Sequence, residues 1–294
     1  MGTYPPHTRP NYIKRRLQRL QRVLRSTISP PGFDYPPANT TASCYWVGAV
    51  SNDWDNANNW SASSGGAGGY GVPTITNPVV FDGTSGGTFL CYLHRDTQCA
   101  AFSVTEADAA VAAEFNQNGY TLTCTTFTYN VPTANSGEVF DGSIYVSGAT
   151  FTITAAENAD HFGTATVYST AAAGFTVSSA VALTGVTFSV GGTAFVAATA
   201  LSVGRLIMSS TATKTMEFLN GVDFTLAAYT VGDWDGGSGA INSITSDDAT
   251  TWGFVNPAAM VVAYINVQDS NATNAIDATD NCVDGTGNTN WTFV

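Results

Sequence analysis

The residues best equipped for chemistry fall in three short stretches. His94-Arg95-Asp96 sets a cation between an imidazole and a carboxylate, while Asp53-Trp54-Asp55 and Asp233-Trp234-Asp235-Gly236 each place an indole between two acids. Enzymes that cut polysaccharides need clustered carboxylates, often with an Arg or Lys to steady a developing anion. Arg95 with its two neighbours is the best local cluster for that task; Arg205 and Lys214 stand alone in the sequence. A tryptophan beside acids suits a different role, stacking on a sugar ring, which makes Trp54 and Trp234 the candidate glycan contacts. The same acids could ligate calcium at a turn. Neither stretch follows the EF-hand loop, and Asp-rich turns are common without any ligand. His161, in Ala-Asp-His-Phe-Gly, reads as a loop histidine rather than a base. The favoured reading assigns no catalytic residue, no metal ligand and no cofactor, with calcium as the one cation the composition allows.

The five cysteines (Cys44, Cys91, Cys99, Cys124, Cys282) form no CxxC pair and have no histidine at zinc-finger spacing, so a zinc module is not expected. They read as small buried apolar thiols; Cys91 and Cys99 are the pair closest in sequence for a disulfide. Four Asn-x-Ser/Thr sequons, at Asn39, Asn59, Asn271 and Asn290, are expected by chance in a Thr-rich chain and are not taken as glycosylated.

The elements that must position these residues divide the chain by charge. Residues 1–33 carry seven of its ten Lys and Arg and no acid. Residues 34–294 carry all 22 acids and only Arg95, Arg205 and Lys214. That is about +7 on a short arm and about −19 on the body, giving the −12 of the whole chain. Such asymmetry marks an appendage with a partner of its own. An acidic, Lys-poor body repels nucleic acid and anionic membrane, so neither is expected as its partner. No apolar h-region follows the basic start and no apolar run reaches membrane-spanning length. The expectation is a chain that stays in its cell of origin or leaves without a leader, as a virus particle does on lysis.

Within the arm (residues 1–37), Asn11 can cap a helix over about residues 12–27, and Pro30-Pro31 and Pro36-Pro37 bracket a stiff linker. Ile13, Leu17, Leu20 and Leu24 draw one apolar stripe, interleaved with Lys14, Arg15, Arg16, Arg19, Arg22 and Arg25. These ten residues are the candidate partner-docking set. The stripe is also a short a/d seam, compatible with a homotrimer, but so few turns need a partner surface to hold them. Leu and Ile on one face favour a protein groove over phosphate, for which positive charge alone would serve.

Residues 38–83 bring Trp46, Trp54 and Trp60 into one window and read as a β cap over the open end of a sheet stack. Residues 84–268 then repeat short alternating strands separated by Gly, Asn or Ser-Thr turns. Examples are YTLTCTTFTY, SIYVSGATFTIT and VALTGVTFSV, the last two reading as strand, one-glycine corner, strand. Recurrence at about 20 to 25 residues is the pattern of a β-solenoid, whose coils bury their apolar faces only by stacking. A tandem of β-sandwiches is the competing architecture. EADAAVAAEF is the one stretch with ambiguous periodicity, and residues 269–294 read as a C-terminal cap.

Two stretches carry a resemblance. Trp46-Val47-Gly48, Trp54, Asn59-Trp60, Val72-Pro73 and Val79-Val80-Phe81-Asp82 are similar to the opening cassette of repetitive β-helical surface proteins. Asp269-Ser270 and Asp284-Gly285-Thr286-Gly287-Asn288-Thr289-Asn290-Trp291 resemble the closing segment of parallel β-helix proteins of phage particles and autotransporter-like adhesins. The two cover about 70 residues at the ends of the chain. The resemblance implies an all-β, right-handed parallel β-helix with capped ends, preceded here by the basic amphipathic α-helix. That architecture serves adhesins, virion fibres and polysaccharide lyases alike; the basic helix in place of a leader turns the expectation to a non-enzymatic structural protein of a bacteriophage particle, as capsid decoration or as a tail or fibre component. Its partners would be other virion structural proteins and, on the host, a surface glycan. The alternatives are a polysaccharide-degrading β-helix enzyme and a glycan-binding adhesin on a bacterial surface.

Overall fold

Alternation of apolar and hydroxylated residues at period two makes each segment here a strand with one buried and one outer side. In Thr126–Val131, for example, Phe127, Tyr129 and Val131 are buried while Thr126, Thr128 and Asn130 face outward. The computed structural model describes residues 41–83, 90–105, 115–131, 139–156, 162–171, 174–208, 212–248, 250–258 and 260–294. The basic arm, with its expected helix and all ten docking residues, lies outside the described residues, as do residues 106–114 and His161.

Among the described residues two long sheets run the length of the body. The first stacks twelve strands: Trp60–Ser61, Cys44–Trp46, Val79–Phe81, Ala101–Thr105, Thr126–Val131, Thr150–Ala156, Gly174–Ser179, Ala194–Ala197, Thr215–Phe218, Asn242–Ser246, Ile265–Val267 and Val283–Asp284. The second begins at Thr97–Gln98 and climbs through Leu122–Cys124, Ser143–Val146, Thr166–Ser169, Leu183–Val190, Leu201–Ile207, Asp223–Leu226 and Trp252–Val255 to Ser270–Asp280. Met260–Ala263 and Thr289–Thr292 also pair with that last strand. A short third face pairs Cys91–Tyr92 with Phe115–Asn116 and continues through a bridge from Asn116 to Val139.

Every neighbour pair on these long ladders is parallel save one. From Leu122–Cys124 to Trp252–Val255 successive strands of the chain alternate between the two sheets, so each turn of chain there adds one rung to both. The fold is all-β with long parallel sheets, consistent with a β-solenoid. It is not the alternative β-sandwich tandem, whose sheets are antiparallel. The exception is Trp60–Ser61, which pairs antiparallel with Cys44–Trp46 and covers the open edge at that end. Helical backbone among the described residues is confined to the 3-10 turn Ala57–Asn59 and to Phe162.

Because rungs are in register, like residues stack on like. Phe102, Phe127 and Phe151 form a column with centroids 5.5 and 4.6 Å apart and planes within 15°. Phe140 and Phe162 stack at 4.8 Å on the third side. At the N-terminal end Trp46, Trp54 and Trp60 close the core edge-to-face over Phe81. At the other end Phe218 lies on Trp252 and Trp234 on Phe254. Each aromatic pair adds about 0.5–1.5 kcal/mol beyond its area burial.

Two segments differ from their sequence reading. VALTGVTFSV is not two strands about a corner: Leu183–Val190 is one strand, with an irregularity in register between Leu183 and Thr187. Gly185 sits there because the Gly163 carbonyl passes within 1.9 Å of where a Cβ would stand. YTLTCTTFTY, read as one alternating run, is split at Thr125 into strands of different sheets. Local alternation is the same on both sides of a corner, so it cannot reveal the corner.

Candidate functional site

The first acid-tryptophan stretch is pinned by its own turn. Asp53 accepts from the Asp55 amide (2.9 Å) and Asn56 caps the 3-10 turn by accepting from the Asn58 amide (3.0 Å). Trp54 is turned inward, 1% exposed, edge-on to Trp60 at 4.7 Å and in contact with Phe81 and Phe115. It is a core residue rather than a glycan contact. Asp53 stays at the surface and Asp55 is half-buried, and the loop from the next rung brings His94 and Arg95 to them. Arg95 Nη2 lies 2.6 Å from Asp55 Oδ1 and His94 Nε2 lies 3.9 Å from Asp53 Oδ1. Burial pushes the Asp55 carboxyl up, and the Arg95 charge opposes that shift. Asp96, adjacent in sequence, is turned away to accept from the Thr121 amide (2.9 Å). A shallow groove of about 220 Å³ runs beside Arg95, floored by Pro73, Thr74 and Thr97.

This cluster gathers two carboxylates, an imidazole and a guanidinium at the surface. Arg95, though two-thirds exposed, is paired with Asp55, whose negative charge offsets its own. The second acid-tryptophan stretch behaves the same way. Arg205 grips the buried Asp233 with both ends of its fork, Nε to Oδ2 at 2.8 Å and Nη2 to Oδ1 at 2.5 Å. Asp233 also accepts from the Thr230 amide (2.9 Å). That bidentate bond raises the Arg205 pKa. Trp234 is fully buried, its Nε1 donates to the Leu206 carbonyl (3.1 Å), and its ring stacks on Phe254. Like Trp54 it offers no face to a sugar. Asp235 is pushed up by burial and held down by the Ala263 amide it accepts from at 2.9 Å. Lys214, 5% exposed, donates Nζ to the Val190 carbonyl, and burial lowers its pKa.

The three cations of the body are therefore distributed, each spent on a different partner. Arg95 precedes the first strand of the second sheet and Arg205 lies on the sixth. Five rung spacings separate them by about 24 Å. Among the described residues no group of three or more His, Cys, Asp or Glu could hold a metal ion. A second groove, of about 620 Å³, is lined by Tyr264, Asn281 and Cys282 and contains neither carboxylate nor cation. No protein-family model, no curated protein and no solved structure matches the chain. Its function has to be read from its own surfaces.

Those surfaces are ladders of small hydroxyls. On the first sheet Thr126, Thr150 and Thr176 stand in one outward file, with Thr128, Thr152 and Ser178 in the next. On the second sheet one outward file reads Thr123, Tyr145, Tyr168, Ser189. The two tyrosine rings, half-buried, stack at 4.7 Å and 13°. The next residues in the file, Thr123 and Ser189, carry no ring, so among the described residues the file adds no third aromatic to the pair. Sequence reading passed over this pair. Its signal was the matching outward position in SIYV and TVYS, legible only once the register aligns the two.

The free cysteines settle another expectation. Cys91 and Cys99 are not bonded to each other; all five thiols are free, four of them buried. Burial raises Cys91 and Cys99 well above the ordinary thiol value and pushes Cys44 and Cys124 up to about 12. Such thiols are inert in the folded protein. Of the described sequons, Asn59 is fully buried, which bars a glycan there in the folded state; Asn271 and Asn290 are exposed.

Proposed function

We propose that this chain is a non-enzymatic structural protein of a bacteriophage particle, a capsid decoration or tail or fibre component. In this reading the basic N-terminal segment docks into a neighbouring virion protein and the acidic body is displayed outward. The body is a right-handed parallel β-helix, the hand that parallel strand connections almost always take. The observation that carries the reading is the engagement of every body cation by its own chain, on a scaffold whose outer files are hydroxyls. A core stacked from end to end makes a rigid element, and a surface with few ionic groups free resists proteases cutting after Lys or Arg. Those are the properties of a displayed rod rather than of a catalyst.

Cryo-EM of intact particles from the source tests this directly. The expected result is a β-rod on the virion with residues 11–28 against a neighbouring protein. A soluble rod absent from every particle would overturn the proposal. Depolymerisation of a capsular polysaccharide by the purified chain would replace it with the enzymatic alternative.

One observation favours a host-surface glycan as a further ligand of the displayed body. The outward Tyr145–Tyr168 stack offers ring faces to the apolar side of a sugar, with Thr123 and Ser189 to meet its hydroxyls. The contact thus moves from the buried tryptophans to this pair. A glycan array probed with the wild-type chain and with Tyr145→Ala/Tyr168→Ala should show binding that the double variant loses; equal binding by both would remove these residues from the reading.

A further inference from the structure

The strand register sets Cys99 against a cysteine that is not its sequence neighbour. In the second sheet Thr97 pairs with Leu122 and Gln98 with Thr123. The Cys99 amide extends that ladder by donating to the Thr123 carbonyl at 2.9 Å. The next pair in register is therefore Cys99 with Cys124. Both side chains point into the core, 2% and 1% exposed. Cys91, by contrast, lies on the third face, paired with Phe115, and Cys44 enters the first sheet two strands below Ala101–Thr105.

We propose that Cys99 and Cys124 are a latent disulfide pair that closes when the chain folds under oxidising conditions, stapling two successive coils. Adjacent rungs hold in-register Cα atoms about 4.8 Å apart, inside the roughly 4.4–6.8 Å span of disulfides. The Cβ atoms must close to about 3.8 Å. Cys99 can supply that movement because it follows the last residue of its strand and precedes the corner at Ala100. Cys124 and, less strongly, Cys44 both act electrostatically on Cys99, so it is the strand register that singles out Cys124. Buried, protonated thiols exchange slowly once the coils have closed, so the bond forms during folding. One thiolate attacks oxidised glutathione, releasing reduced glutathione. The other then displaces the second glutathione from the mixed disulfide. Two S–H bonds are lost, one S–S bond is gained, and the two electrons and two protons end on two glutathione thiols.

The test is to refold the full chain from denaturant in a glutathione redox buffer, isolate the monomer, block free thiols and map peptides without reduction. The expected result is one linked pair, Cys99–Cys124, with Cys44, Cys91 and Cys282 blocked. Oxidation in denaturant, where sequence distance governs, should instead favour Cys91–Cys99. The refolded, linked chain should melt several degrees above its reduced form, and Cys124→Ala should abolish that difference. Five blocked cysteines after refolding, or a bond from Cys99 to Cys44 or Cys91, would overturn the proposal.

Discussion

Asn59 shows how much one polar side chain can hold in place. Its Oδ1 accepts from the amides of Val50 and Ser51 at 3.0 Å each, and its Nδ2 donates to Ser51 Oγ and the Asp53 carbonyl at 2.9 Å. Replacing it with Ala strands three backbone groups in the cap. We expect Asn59→Ala to cost about 3 kcal/mol in denaturant unfolding; a loss below about 1 kcal/mol would mean water replaces the lost bonds. Lys214 presents the opposite balance, a charge held in the core by a carbonyl. Its folded pKa lies below its ordinary 10.5, so between those two values the unfolded chain binds more protons and stability rises with pH. Below that window burial of the charged form opposes folding. Lys214→Met should match the wild type at pH 7 or exceed it by about 1 kcal/mol, and the wild type should gain on the variant as pH rises toward 10.5. Parallel pH profiles for the two proteins would show that Lys214 titrates normally.

At the level of elements, glycine placement decides where the coil can close. Gly148 lets its amide donate to the Thr125 carbonyl at 2.8 Å where the chain turns between sheets. A Cβ there would stand 2.3 Å from that oxygen. Gly185 serves an irregularity inside a strand, for the same steric reason. Gly185→Ala should destabilise by about 1–3 kcal/mol, whereas Gly239→Ala, with nothing within 4 Å of its added Cβ, should be neutral. Equal melting of both variants would show that the Leu183–Val190 strand can shift away from Gly163. Strand existence was legible from alternation, as in SIYV and GFTVSS. Sheet membership was not: AAMVVAYINV reads as one run, yet Met260–Ala263 and Ile265–Val267 belong to different sheets, parted by Tyr264 at φ +55°.

For the whole molecule, the division of charge predicts how the chain comes apart. Seven of ten trypsin-type residues lie in residues 1–25, while in the body Lys214 is buried and Arg205 is tied to Asp233 within a strand. Trypsin should clip the N-terminal segment quickly and leave residues 26–294 as the persistent fragment, with Arg95, the most exposed body cation, as the next site. Early cleavage at Arg205 or Lys214, read by mass spectrometry, would show that the coils open there. The same fragment provides the incorporation test for the proposed function: it should fold but fail to enter particles.

The sequence by itself determined the all-β class, the coil-length repetition, the charge division and the apolar inner positions. Each follows from local composition and period-two geometry. The tertiary structure decided which residues meet. Trp54 and Trp234 looked like sugar platforms because acids flank them, but alternation around a turn does not say which side faces the core. Arg95 found Asp55, Tyr145 found Tyr168 and Cys99 lies beside Cys124 only because successive rungs stack in register. Partners in a stacked coil lie a full turn of chain apart, and the length of that turn, set by corners, bulges and excursions, fixes register more sharply than any motif can.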